Sequence, residues 1–144
     1  KLNPHVKEKV MHLLELSKEP IGGLLTTEYL TVGPEDTVRQ VIDKIKNEAK
    51  DFSSLYCIYV INKEKQLTGA INLYEILRQD SDTPLYKFMT QNLIVIHITT
   101  PVEIAMKKFL KYHLSSLPVT NQEKRLEGIV NFDDITNYVL DRIK

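Results

Sequence analysis

The chain is poor in the residues that would make several function classes easy to assign. Its 144 residues include no tryptophan, one cysteine, five glycines and four phenylalanines. A lone Cys57 excludes an internal disulfide framework and fits a reducing compartment. Its place in the apolar run Leu55–Ile61 makes it a packing residue rather than a reactive thiol. Neither sign of charge is in excess: Lys plus Arg and Asp plus Glu are 19 each, so there is no electrostatic case for nucleic acid. No apolar run approaches the roughly 18 residues that a membrane span needs, which predicts a soluble stretch. No secretory signal opens the chain, and Lys1 in place of Met is expected of an excised fragment. No Ser/His/Asp or Cys/His arrangement and no Gly-rich phosphate loop supports catalysis, so an enzyme is not expected.

What the chain does have is a pattern stated twice. Leu25-Thr26 opens a stretch running to Val38, and Met89-Thr90 opens one running to Val102, 64 residues later. Gly69-Ala70-Ile71-Asn72-Leu73-Tyr74-Glu75-Ile76 is echoed by Gly128-Ile129-Val130-Asn131-Phe132-Asp133-Asp134-Ile135, at an offset of 59. The first copy thus carries about five extra residues, placed most economically in the polar Asn47–Ser54 as a loop or extended helix end. Two similar halves normally pack on each other, and the cleft between them is the expected site. An apolar content of 42% is enough for a shared core.

The apolar positions Val6, Val10, Leu13, Leu14 and Leu16 predict an amphipathic helix over Val6–Ser17, ended by Pro20 and Gly22-Gly23. Each copy then follows one plan. An extended piece (Leu30–Val32 or Leu93–Ile98) and a turn (Gly33-Pro34 or Thr99-Thr100-Pro101) come first. A helix follows, capped by Thr37 in one copy and by Thr100 with Pro101 at the first helical position in the other. Strands Tyr56–Ile61 or Leu117–Thr120, a polar turn, and strands Gln66–Asn72 or Arg125–Asn131 come next. A helix starting at Leu73 or Phe132 closes each copy. The order β-α-β-β-α, twice, predicts an α+β, layered architecture.

Both hairpins end in Asn, at Asn72 and Asn131, with Glu75 or Asp134 three residues on. An Asn there caps the helix and an acid in the first turn suits its dipole. The alternative use of the same groups is to hold a sugar or phosphate at the helix start. His113, next to Tyr112, reads as a helix-end residue, and His97 falls in the extended piece. His5 and His12 lie on the first helix. None has a metal-ligand spacing.

These residues resemble the paired cystathionine-β-synthase (CBS) domain, or Bateman module. The resemblance is carried by Met89-Thr90 and Leu25-Thr26, by Leu117-Pro118-Val119 and by Gly128-Ile129-Val130-Asn131-Phe132-Asp133-Asp134, and it covers Leu24 to Lys144. Ile21-Gly22-Gly23-Leu24-Leu25-Thr26 is similar to the Ala-Gly-Gly-Leu-Met-Thr junction of MgtE-type magnesium transporters. The resemblance implies two CBS repeats, 24–82 and 83–144, packed with pseudo-twofold symmetry, and residues 1–23 as the end of an N-terminal helical domain or linker.

It also implies a non-catalytic regulatory module on the cytoplasmic side of the cell membrane, with a transmembrane domain in the same polypeptide. Such a module senses Mg²⁺ or adenine nucleotide (ATP, ADP or AMP) and gates transport through a dimer rearrangement. Asn72, Glu75, Asn131 and Asp134 then fall at nucleotide positions, and Glu103 and Asp134 at metal positions. The chain departs from the pattern. Asn stands where the nucleotide motif has Ser or Thr, Glu75 is longer than Asp, and Cys57 replaces an aromatic residue. Pro101, His113 and Asn137 replace acids often found in the transporters. The competing expectation is a free-standing CBS protein that acts through protein contacts, its ligand sites degenerate. A homodimer is expected through the closing helices, with Ile135, Tyr138, Val139 and Ile143 as its stripe.

Overall fold

The two copies start their first helices in different ways, although the sequence pattern is shared. The computed structural model describes Pro4 and residues 20–48 and 57–142. Helix α1 spans Val38–Glu48. The Gln40 amide donates to Thr37 Oγ1 at 3.3 Å and the Thr37 amide donates to Gln40 Oε1 at 2.8 Å. This reciprocal pair is a capping box, and it satisfies two donors at the helix start. Helix α2 is Leu73–Arg78, α3 is Val102–Tyr112 and α4 is Phe132–Asp141. The expected Thr100 cap on α3 does not form. Thr100 Oγ1 accepts instead from the His97 amide at 3.0 Å, and the Thr100 amide donates to the His97 carbonyl at 2.9 Å. That turn takes up the hydroxyl and moves Pro101 one place back, to the cap position. His97 therefore lies in a turn, not in a strand. The helix expected over Val6–Ser17 falls outside the described residues.

Strands β1 (Thr31–Val32), β2 (Cys57–Ile61) and β3 (Leu67–Asn72) form one sheet in that order. Thr31 lies parallel to Tyr59, and Cys57 lies opposite Asn72 in the antiparallel β2–β3 pair. Strands β4 (Ser116–Thr120) and β5 (Leu126–Asn131) pair as a hairpin. The extended piece expected over Leu93–Ile98 is not a strand; it makes a single bridge, Ile96 to Val119. Proline chemistry explains the loss. In the first copy the Tyr59 amide donates to the Leu30 carbonyl at 3.1 Å. The repeat offsets put Pro118 in the place of Tyr59, and proline has no N–H to give.

The hairpin turns are near duplicates. Asn62 Oδ1 accepts from the Glu64 and Gln66 amides, and Asn121 Oδ1 from the Glu123 and Arg125 amides, all at 2.9–3.0 Å. Lys65 and Lys124 adopt the left-handed backbone that closes each turn, with φ of 68° and 67°. The turns also pair with each other. The Leu67 amide donates to the Lys124 carbonyl at 2.8 Å and the Leu126 amide to the Lys65 carbonyl at 3.2 Å.

The chain separates into two units that do not follow its linear order. One comprises Lys1–Thr26, Ile94–Val119 and Ile129–Lys144; the other comprises Thr27–Leu93 and Thr120–Gly128. The first, unit 1, is built on Ile21, Ile96, Val102, Met106, Phe109, Leu117, Val130, Ile135 and Val139. Unit 2 is built on Leu30, Val32, Val38, Val41, Ile58, Val60, Ile71, Ile76 and Leu85. The opening motifs explain the division. In unit 1, Thr26 and Ile129 exchange backbone hydrogen bonds at 2.9 and 3.1 Å. In unit 2, Thr90 and Ala70 exchange two at 2.9 Å. The motif that opens each copy thus extends the hairpin of the other.

The apolar stripe assigned above to a dimer contact is used inside unit 1. Ile135 is 0% and Val139 3% exposed in its core, and Tyr138 packs against that core. A helix in a small domain needs one apolar face for its own burial, and α4 spends these residues on it. Ile143 lies outside the described residues. Among the described residues no helix is long and apolar enough to cross a membrane.

Candidate ligand-binding site

The residues singled out by the sequence gather at two hairpin-to-helix junctions. Each is made the same way: a buried strand centre delivers an Asn in extended backbone, and a helix starts on the next residue. At the β3–α2 junction, Asn72 Oδ1 accepts from the Glu75 amide at 2.8 Å. The cap forms, and the Asn72 carboxamide still carries two N–H donors. Glu75 Oε1 accepts from Arg78 Nη1 at 3.2 Å across a solvated helix face. Such an exposed pair is weak and leaves Glu75 open to other partners.

The β5–α4 junction has the same backbone with different bonding. Asn131 makes no side-chain cap hydrogen bond. The Phe132 amide donates to the Ser115 carbonyl at 2.9 Å, and Thr136 Oγ1 donates to the Phe132 carbonyl at 2.7 Å. Phe132 leans on Phe109, with ring centroids 5.5 Å apart. Asp133 and Asp134 are both exposed in the first turn of α4. Exposed carboxylates there accept hydrogen bonds from hydroxyl groups, as a ribose presents them, while the backbone amides of the first turn suit an anion.

The metal positions are separate in character. Glu103, in the first turn of α3, is only 8% exposed and already engaged within the fold. Asp134 is open to solvent. Among the described residues, no three of His, Cys, Asp and Glu gather around one point that could hold an ion. Mg²⁺ is often held by one or two carboxylates and several waters, but these residues do not build a closed set. His113 ends α3 in the left-handed conformation, its amide donating to the Phe109 carbonyl, as a helix-end residue does. Burial pushes the Cys57 thiol up to about 11, against the lowering effect of hydrogen bonds with Tyr59 and the Ile71 backbone. It is therefore protonated and inert at neutral pH.

One feature was missed in the sequence although its signal was there. Lys44 Nζ donates to the Thr31 carbonyl at 2.5 Å, and Lys108 Nζ to the Val95 carbonyl at 3.2 Å. Lys108 and Val95 stand 64 residues after Lys44 and Thr31, the same offset as the repeat. In each copy a helix lysine takes up a carbonyl of the first extended piece; in the first copy that piece is β1, at the edge of its sheet.

The model of the CBS domain family matches residues 21–82 and again 85–141. The magnesium transporter MgtE of Enterococcus faecalis is 29% identical over 133 residues, 92% of this chain and 29% of that protein. MgtE of Thermus thermophilus is 30% identical over 134 residues, 93% of this chain and 30% of that protein. The crystal structure of the cytosolic domain of the Mg²⁺ channel MgtE in complex with ATP superposes with a TM-score of 0.80 at 29% identity. It covers 95% of this chain and 55% of that one. The chain thus spans under a third of the length of these curated relatives. The twice-told β-α-β-β-α plan, with its two Asn-ended hairpins, is accounted for: the chain belongs to the CBS domain family and carries two copies of the domain.

Proposed function

We propose that this chain is the regulatory CBS pair of a magnesium or other divalent-cation transporter. In this reading it lies on the cytoplasmic side of the membrane, joined to a transmembrane domain of the same polypeptide. It is a sensor without catalysis, responding to adenine nucleotide, to Mg²⁺ or to both. The observation that carries the reading is the likeness, along nearly the whole chain, to the ATP-bound cytosolic domain of a Mg²⁺ channel. A regulatory ligand acts by binding one arrangement of a homodimer better than another, and it shifts the balance by no more than that difference.

Asn72, Glu75, Asn131 and Asp134 are the proposed nucleotide contacts. Asp134 supports this most directly, being an exposed acceptor at a helix start, and Asn131 has no capping bond to give up. The Mg²⁺ part of the reading rests on Asp134 and Glu103 and on the likeness to magnesium transporters. For the homodimer, the large apolar side chains exposed on the closing helices among the described residues are Tyr74 and Leu77 of α2 and Leu140 of α4.

Thermal unfolding with ATP, ADP, AMP and MgCl₂ tests the proposal. A ligand at a hundred times its Kd adds about 2.7 kcal/mol of stability. Asp134→Asn should weaken nucleotide binding by about tenfold, or about 1.4 kcal/mol. A melting temperature unmoved by all four ligands would refute the sensing role.

A further inference from the structure

Residues Pro20–Thr26 are fastened to unit 1 at both ends. At the start, Pro20 bridges Pro101, and the Ile21 amide donates to the Thr100 carbonyl at 3.0 Å. The Ile21 side chain is fully buried in the unit 1 core, and Leu24 and Leu25 pack on the same cluster. At the far end, Thr26 and Ile129 exchange their two backbone hydrogen bonds. These residues therefore grip the start of α3 and the middle of β5 at once. The chain enters unit 2 immediately afterwards, at Thr27.

We infer that Pro20–Thr26 is a strap, and that it delivers a displacement of the chain ahead of residue 20 to the second repeat, not to the first repeat, which it opens in sequence. A load on a polypeptide is taken by the first firm attachment it meets. Among the described residues from Pro20 on, that is a buried isoleucine with a backbone bond on its own amide, followed by a two-bond pair. Both attachments belong to α3 and β5. β5 runs from Ile129 straight to Asn131, so the strap ends two residues before the β5–α4 junction. The Asn72 junction has the corresponding tie from Thr90, in the motif that opens the second copy. Input from the chain's leading side and input at the opening of the second copy are therefore read by opposite copies.

Hydrogen exchange followed by mass spectrometry on the full chain tests this. Thr26→Pro removes the amide that donates to Ile129 and leaves the core side chains in place; Ile21→Ala empties the core attachment. Each variant should speed exchange in Val102–Tyr112 and Leu126–Asp141 at least tenfold, while Thr31–Val32, Val38–Glu48 and Cys57–Ile61 stay within twofold. Thr90→Pro should reverse the pattern, loosening Leu67–Asn72. If Ile21→Ala does not fold, Thr26→Pro decides alone. Equal acceleration in both units, acceleration confined to unit 2, or no change with Thr26→Pro would overturn the inference.

Discussion

Replacing Gly69 with alanine separates an effect of space from an effect of backbone. Gly69 lies in β3 opposite Val60, and its φ is not positive, so alanine can adopt its conformation. With that conformation allowed, Gly→Ala normally stabilises by about 0.4–1 kcal/mol, because the unfolded chain loses freedom. Space decides otherwise. A Cβ at Gly69 would sit 2.7 Å from Met89 Sδ, 3.0 Å from Met89 Cγ and 3.1 Å from the Thr90 carbonyl oxygen. Methionine is flexible and can swing away. The Thr90 carbonyl cannot, because it accepts from the Ala70 amide at 2.9 Å. Overpacking costs about 1–3 kcal/mol, so we expect a net loss of about 1 kcal/mol, or about 3 °C in Tm for a chain of this size. Urea unfolding of Gly69→Ala and of Gly69→Ala with Met89→Ala measures both parts. The second change should reduce the penalty, after allowing for the loss from Met89→Ala alone, without removing it. A stabilised Gly69→Ala would refute the close approach of the second opening motif to β3.

Three further outcomes are expected. Asn72→Ala should cost about 1 kcal/mol through loss of its cap, and Asn131→Ala under about 0.5 kcal/mol, since it makes no such bond; denaturant midpoints of the two variants compare them, and equal losses would contradict the bonding described. Val139→Glu places a charge at a site 3% exposed and should abolish cooperative folding, whereas Leu140→Glu, at a site 39% exposed, should fold normally and shift sedimentation toward monomer if α4 joins the homodimer. Stability should fall between about pH 9 and about pH 11, because the unfolded Cys57 loses its proton first while the folded thiol, raised to about 11, keeps it; Cys57→Ala should flatten that part of the profile, and an unchanged alkaline slope would count against a buried thiol.

Much of the local structure was legible from residue pattern. The Thr37 cap, the hairpins with their Asn turns, the two Asn-ended strands and the closing helices all arise from interactions within a few residues. Periodicity and side-chain chemistry report those directly. The junction residues were legible for the same reason. Less legible was what each would do with its hydrogen bonds. Asn72 caps its helix and Asn131 does not, although both occupy one motif. The stripe of Ile135, Tyr138 and Val139 shows the limit of periodicity. It identifies a face that must be buried and is silent on whether the chain's own core or a second copy buries it.

By itself the sequence determined the duplication, the α+β plan and the family. A repeat offset is a property of the chain, and it survives any rearrangement in space. Only the tertiary structure decided that Leu25-Thr26 and Met89-Thr90 each serve the other copy's hairpin. Strand edges offer the same donors and acceptors whichever copy they belong to. The choice between them is made by packing, through Ile21 in one core and Gly69 making room for Met89 in the other unit.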